Sequence, residues 1–205
     1  MKKGILLLSS GIDSPVAGYL AREKIELIGL HLDHVPLRSS KKAKIKQLCD
    51  RVKIKKCYIV PFGTLQIELM KKCEDRYRCV ICRRFMLRIA EKIAEKEKAD
   101  YLITGENLSQ VASQTLTNLK NEDTAIKTII LRPLLCYDKQ EIINLAKTIG
   151  TFEISIQQNS CCGAVPKFPI TKSNKRILER EEEKLNIDKL IRNALKNCEI
   201  PIQSL

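Results

Sequence analysis

Apolar residues recur along the chain in two alternating patterns, and the alternation itself predicts a fold. Residues 5–8 form a short unbroken apolar run, the mark of a strand buried on both faces, and largely apolar runs that read as further strands fall at 25–33, 57–60, 101–104 and 128–131. Between them lie stretches with apolar positions three and four residues apart, the period of an amphipathic helix. One follows residue 14; others span 39–52 (Ala43, Ile45, Leu48, Val52), 65–72, 82–98 (Phe85, Met86, Ile89, Ala90, Ile93, Ala94), 109–119 and 139–148, the last ended by Gly150. Strands alternating with helices predict an α/β fold: a doubly wound parallel sheet whose ligands bind beyond the carboxyl ends of the strands.

After Gly150 the pattern changes. Residues 151–173 are rich in Ser, Cys and Pro and read as irregular, and a charged helical tail is expected over 174–197. The expected division is a nucleotide-type domain over 1–175 and a C-terminal helical tail over 176–205. The tail's apolar residues, Ile177, Leu178, Leu185, Ile187, Leu190, Ile191 and Leu195, suit packing onto the domain or onto a partner.

Charge narrows the class of partner. The net charge is +13, with lysine and arginine concentrated over 41–56 and 71–88. Such clustering predicts attraction to a polyanion, foremost nucleic acid. Aromatics make up only 4% and tryptophan is absent, which argues against a surface built to stack several bases. No window approaches the ~18 apolar residues of a membrane span. Met1-Lys2-Lys3 and the run behind it are too short, and too soon interrupted by Asp13 and Pro15, for a signal peptide. A cytoplasmic protein without membrane contact is expected. Nine cysteines without a secretion signal then point to thiol or metal chemistry rather than a disulfide framework.

The first candidate site is the turn after the first strand, Ser9-Ser10-Gly11-Ile12-Asp13-Ser14. With Ser14 as N-cap and Pro15 as first helical residue, backbone N–H groups, hydroxyls and the positive end of a helix dipole converge, as in phosphate sites. Neither G-x-x-x-x-G-K-[ST] nor G-x-G-x-x-G occurs. The turn resembles the S-G-G-x-D-S pyrophosphate loop of ATP pyrophosphatases, with Ser10 where glycine is usual, a place where glycine supplies positive φ or close approach.

Cysteines supply the second. Cys49, Cys57, Cys73, Cys136 and Cys198 are isolated, and buried packing is their default explanation. Cys79 and Cys82 have C-x-x-C spacing at a predicted helix start, and Cys161-Cys162 precede Gly163; an iron–sulfur cluster, zinc and a redox pair are all open. His31 and His34 read as residues on opposite strand faces, not as joint metal ligands. Gln110 and Gln114 fall on one face of the predicted 109–119 helix, and Gly105 sits at a strand end where a ligand can approach the backbone.

Four stretches then go together: LLLSSGIDSPVAGYLA; TGENLSQVASQTLT at 104–117; Asn159-Ser160-Cys161-Cys162-Gly163 before Pro166 and Lys167; and LRPLLCYDKQEIINLAKTIGTFEIS. With the cysteine pair before Arg83, they closely resemble the catalytic domain of the tRNA 4-thiouridine sulfurtransferases, in the stand-alone archaeal-type form, from Leu6 to about Leu185. That resemblance implies the PP-loop, adenine nucleotide alpha hydrolase-like version of the doubly wound fold. It implies an ATP site at Leu7, Leu8, Ser9, Ser10, Gly11, Asp13 and Ser14, with His31 and Leu32 beside the nucleoside and Arg83, Gly105 and Gln114 completing it; Ser109 stands where the family often has glycine. It implies Mg²⁺ against the polyphosphate, Asp13 and Cys162 as catalytic residues, and a cluster (alternatively zinc) on Cys79, Cys82 and Cys162, not Cys161. The implied reaction is tRNA thiolation, uridine to 4-thiouridine, through an adenylated base, release of pyrophosphate and transfer of sulfur from sulfide or a sulfur carrier. The chain starts at the first strand and ends at Leu205, so the family's N-terminal RNA-binding module and C-terminal rhodanese domain are expected to be missing, with a separate RNA-binding module acting in trans and a homodimer among the partners considered. The other class left open is a non-catalytic nucleotide- or RNA-binding subunit of a sulfur-transfer complex.

Overall fold

The computed structural model describes residues 1–108, 114–157 and 166–203. Strand β1 (Lys2–Leu7) sits at the centre, where neither Ile5 nor Leu6 is exposed and successive side chains enter cores on both faces. Beside it lie β2 (Ile25–Asp33) and then β3 (Lys56–Pro61) in one direction, and β4 (Tyr101–Ile103) and then β5 (Ile129–Leu131) in the other, all parallel. Strand order therefore reverses between β1 and β4. Such a reversal sends the loops after those strands apart and opens a crevice at their carboxyl ends.

On one face Leu6, Leu8, Leu27 and Ile103 pack against α1 (Asp13–Ala21), α2 (Lys42–Val52) and α6 (Lys139–Thr148). On the other, Ile5, Ile28, Leu30 and Leu102 pack against α3 (Gly63–Lys72) and α4 (Arg78–Glu97), and α5 (Leu116–Asp123) leans on α4 from outside. Chemistry at the ends sets the lengths of these helices. Asp138 and Glu141 form a reciprocal capping box at the start of α6. Past α2, α4 and α6 the backbone turns left-handed at Lys53, Lys98 and Gly150, which ends each helix. The expected bounds of β2 and α6 are met to the residue.

Several expectations are corrected. The helix expected at 109–119 begins at Leu116, with Thr115 as N-cap accepting from the Asn118 N–H; Ser109 and Gln110 lie outside the described residues, as do Asn159, Cys161, Cys162 and Gly163. The stretch read as irregular contains a short helix, α7 (Phe152–Ile156). The charged tail is two helices, α8 (Lys175–Glu183) and α9 (Ile187–Lys196), because Asn186 caps a new helix by accepting from the Lys189 N–H. A sixth strand, β6 (Glu199–Gln203), then adds to β3 in the antiparallel sense, so the sheet is not wholly parallel.

Leu178, Leu185, Ile191 and Ala194 of the tail enter the same core as α4. Glu182 seals the junction: it accepts from Arg84 at 2.8 and 2.9 Å and from Arg88 at 2.6 and 2.8 Å, and both it and Arg84 are almost wholly buried. Burial alone pushes the Glu182 carboxyl up, but the two guanidinium groups hold it below its ordinary value.

Candidate functional site

The crevice at the β1/β4 reversal holds a cavity of about 350 Å³. From the β1 side it is lined by Leu7, Leu8, Ser9, Ser10, Asp13 and Ser14, from β2 by His31 and Leu32, from α4 by Arg83, and from the loop after β4 by Gly105 and Gln114. Eleven of the twelve residues expected around a nucleotide thus border one space. Gly11 lies behind the loop instead, its carbonyl accepting from Ser155 Oγ of α7 at 3.1 Å.

The turn is held by its own hydroxyls. Ser14 is not the N-cap: α1 begins at Asp13, so Ser14 is already helical, and Ile12, the residue before, caps nothing with its side chain. The Ser14 hydroxyl reaches back across the turn, accepting from the Ser9 N–H at 2.8 Å and lying 3.0 Å from Ser9 Oγ, while Ser9 Oγ accepts from the Gly11 N–H at 3.2 Å. Among the described residues no side-chain hydrogen bond caps the start of α1, which leaves its dipole for an anion. Ser10 does not have a positive φ, so serine meets no backbone penalty there. Asp13 Oδ1 accepts from Lys139 Nζ of α6 at 2.8 Å, a cation that the sequence reading passed over.

Gly105 has a different reason to be glycine from the one expected. A Cβ there would lie 2.6 Å from the Ser14 nitrogen and 2.8 Å from the Asp13 carbonyl carbon, so the backbone that approaches it is the start of α1. The Gly105 loop and the serine turn are in that sense one piece. Gln114 is likewise not on a helix face: it precedes the α5 cap, and its Oε1 accepts from the Asn107 N–H at 3.0 Å.

His31 is buried and donates from Nδ1 to the Leu8 carbonyl at 2.9 Å. Burial lowers its basicity against that bond, leaving a neutral ring with Nε2 as acceptor. His34 stands beyond the end of β2, so strand alternation does not separate it from His31; both border the cavity. Its Nδ1 donates to Gln66 Oε1 at 2.6 Å, and Gln66 Nε2 donates to Cys82 Sγ at 3.7 Å.

Arg83 lies in the second turn of α4, not at its opening, and is fixed between two carboxylates. Its Nη2 pairs with Glu106 and its Nε donates to Glu122 Oε2 at 2.9 Å. Glu106 Oε2 also accepts from Arg132 Nε at 2.5 Å and from the Thr104 hydroxyl at 3.0 Å; Arg132 pairs in turn with Asp123. Glu122 is fully buried and its Oε1 has no hydrogen-bond partner among the described residues. Burial therefore raises the Glu122 carboxyl above its ordinary value although Arg83 pulls the other way. No periodic signal in the sequence marks this wall, although Glu106 stands inside TGENLSQVASQTLT and Arg132 inside LRPLLCYDKQ.

Cys79 and Cys82 sit one turn apart near the start of α4, both partly exposed. Among the described residues no three His, Cys, Asp or Glu side chains are grouped as a metal site. The proposed third ligand, Cys162, is outside those residues.

A family model described as thiamine biosynthesis protein (ThiI) matches residues 1–187. The chain belongs to the ThiI family. Within it, probable tRNA sulfurtransferases of Acetivibrio thermocellus and Finegoldia magna are 39% and 42% identical over 97% of the chain. The chain spans about half their length, 53% of each. A crystal structure of a 4-thiouridine synthetase–RNA complex with bound ATP superposes with a TM-score of 0.94 at 37% identity, over 99% of this chain and 55% of that one. The NMN synthetase of Francisella tularensis, at 15% identity and a TM-score of 0.59, shares the fold alone. The expected doubly wound PP-loop fold is therefore the one observed, with β6 added at its edge.

Proposed function

We propose that this ThiI-family chain carries out ATP-dependent thiolation of uridine in tRNA to 4-thiouridine. The observation that carries the proposal is the assembly of the serine turn, the β2 end and Arg83 around one cavity, in a fold that matches an ATP-bound, RNA-bound 4-thiouridine synthetase along nearly its whole length here. The hydroxyl-braced turn and the α1 dipole suit the polyphosphate, and Leu7, Leu30 and Leu32 offer an apolar surface to the base. The uridine O4 attacks the α phosphate and pyrophosphate leaves; a sulfur nucleophile then displaces AMP from C4. Preorganised N–H groups at the turn stabilise the charge that builds on the phosphate without reorganising. A base stacked in folded RNA must first be exposed to reach this point.

Asp13, the turn's own carboxylate, shares Oδ1 with Lys139 and would be able to meet a Mg²⁺ ion, which would offset polyphosphate charge. Cys79 and Cys82 fit two positions of a thiolate ligand set, completed in this proposal by Cys162; an iron–sulfur cluster held there, or zinc as the alternative, would supply a site for the incoming sulfur. The donor is sulfide or a sulfur carrier.

The test is anaerobic protein with ATP and bulk tRNA, scored for AMP, pyrophosphate and 4-thiouridine. Asp13→Ala should abolish AMP formation while leaving the melting curve unchanged, since Asp13 lies on a partly exposed turn held mainly by serine bonds. Wild-type turnover by that variant removes Asp13 from the chemistry. A wild-type protein that binds ATP and forms neither AMP nor pyrophosphate is a binding subunit.

A further inference from the structure

Four phenylalanines and five tyrosines are the whole aromatic complement, and the structure describes all nine. Phe62 and Phe85 are fully buried, Tyr58 and Tyr77 nearly so, and the others half-buried except one. Phe168 is 74% exposed. Its segment is nevertheless firmly anchored: the Ile170 N–H donates to the Arg76 carbonyl at 3.0 Å, Asn118 Nδ2 donates to the Ile170 carbonyl at 2.9 Å, and the Thr115 hydroxyl donates to the Thr171 carbonyl at 2.6 Å. These tethers reach to the 3₁₀ turn (Asp75–Tyr77) that leads into α4 and its Cys79, and to the α5 cap that follows Gln114 at the cavity. An apolar ring is thus exposed two residues from backbone that is tied to both the turn before α4 and the α5 cap.

Its surroundings are cationic. Lys167 Nζ lies 5.6 Å from the ring centre, and Arg76 and Lys172 border the same surface hollow; of the acids there, Asp75 is already paired with Arg78 at 2.6 Å, leaving Glu74. An exposed ring among cations is what an unpaired nucleotide requires, a π-face for the base and positive charge for its phosphates. We infer that Phe168, with Lys167, Lys172 and Arg76 around it, is the surface on which an unpaired base of the RNA substrate stacks as the target uridine enters the site. The inference rests on the tRNA assignment above and adds to it the contact that holds the opened strand. The sequence excluded a platform for several bases; one ring suffices for one.

The absence of tryptophan makes the test direct. In Phe168→Trp the sole indole of the protein reports on this position. Adding tRNA should quench and shift its emission, and Phe168→Ala should weaken tRNA binding about tenfold with an unchanged salt slope, whereas Lys167→Ala with Lys172→Ala should reduce that slope. Both proteins should melt as wild type does, because the ring is mostly in water. Unperturbed indole emission with tRNA demonstrably bound overturns the stacking contact and leaves the tRNA assignment standing. Failure of the wild type to bind tRNA at low salt overturns the stacking contact and leaves the tRNA assignment to a separate RNA-binding module in trans, whereas absence of 4-thiouridine with tRNA demonstrably bound overturns the assignment itself. If Phe168→Ala binds tRNA normally but no longer accepts sulfur from a carrier protein, the surface is a protein contact and the RNA inference fails.

Discussion

The serine turn and the Arg83 wall border the same cavity but are stabilised by unlike means. In the turn, Ser9 and Ser14 satisfy each other and the backbone with neutral hydrogen bonds, and the helix start is left uncapped for a ligand. In the wall, charge is compensated in advance: Arg83 lies between Glu106 and Glu122, and Arg132 between Glu106 and Asp123. Neutral bonds are individually worth about 1 kcal/mol and can be lost one at a time, while a buried ion network fails as a whole when one member goes. The difference teaches that the turn is adapted to an arriving charge and the wall to holding its own charges still.

The contrast is tested most severely at Arg83. Arg83→Leu leaves the buried Glu122 without its guanidinium partner and should cost about 3–5 kcal/mol in urea unfolding. A loss below about 1 kcal/mol would mean that the wall does not depend on this pair. Next comes the joint between the two regions. Gly105→Ala drives a methyl into the backbone of Asp13 and Ser14, which cannot step aside as a side chain can. It should cost about 1–3 kcal/mol and, by displacing the turn, lower the AMP-forming rate on the order of 100-fold. Unchanged kinetics would show that the turn tolerates displacement. The smallest effect is expected at Ser10→Gly, within about 0.5 kcal/mol, because Ser10 already has an ordinary φ. A large gain in AMP formation from that change would show that serine here does limit the site.

Legibility in the sequence followed the range of the forces involved. The span of β2 was readable because burial on both faces writes a largely apolar run, Ile25, Leu27, Ile28, Leu30 and Leu32, and α6 because its cap, its period and Gly150 are all local. Ser14 borders the cavity but does not cap the helix, since a hydroxyl beside a helix start looks the same in sequence whether it caps forward or bonds back to Ser9. The pairing of Arg83 with Glu122 spans 39 residues and leaves no periodic trace. β6 was hidden for a related reason: five residues containing Pro201 after a charged helix carry no strand signal of their own, and only the edge of β3 makes them a strand.

That last strand bears on how the protein behaves in a test tube. A parallel sheet ending at β3 would present a row of unpaired backbone donors and acceptors, a template on which copies of the chain can join into larger aggregates. By pairing Lys56 with Gln203 and Cys57 with Ile202, the chain occupies that row itself, and at the far side β5 offers only three residues. Solubility at the concentrations needed for the assays above is therefore vested in a few residues with no part in the chemistry, and shortening the chain before Glu199 would surrender it.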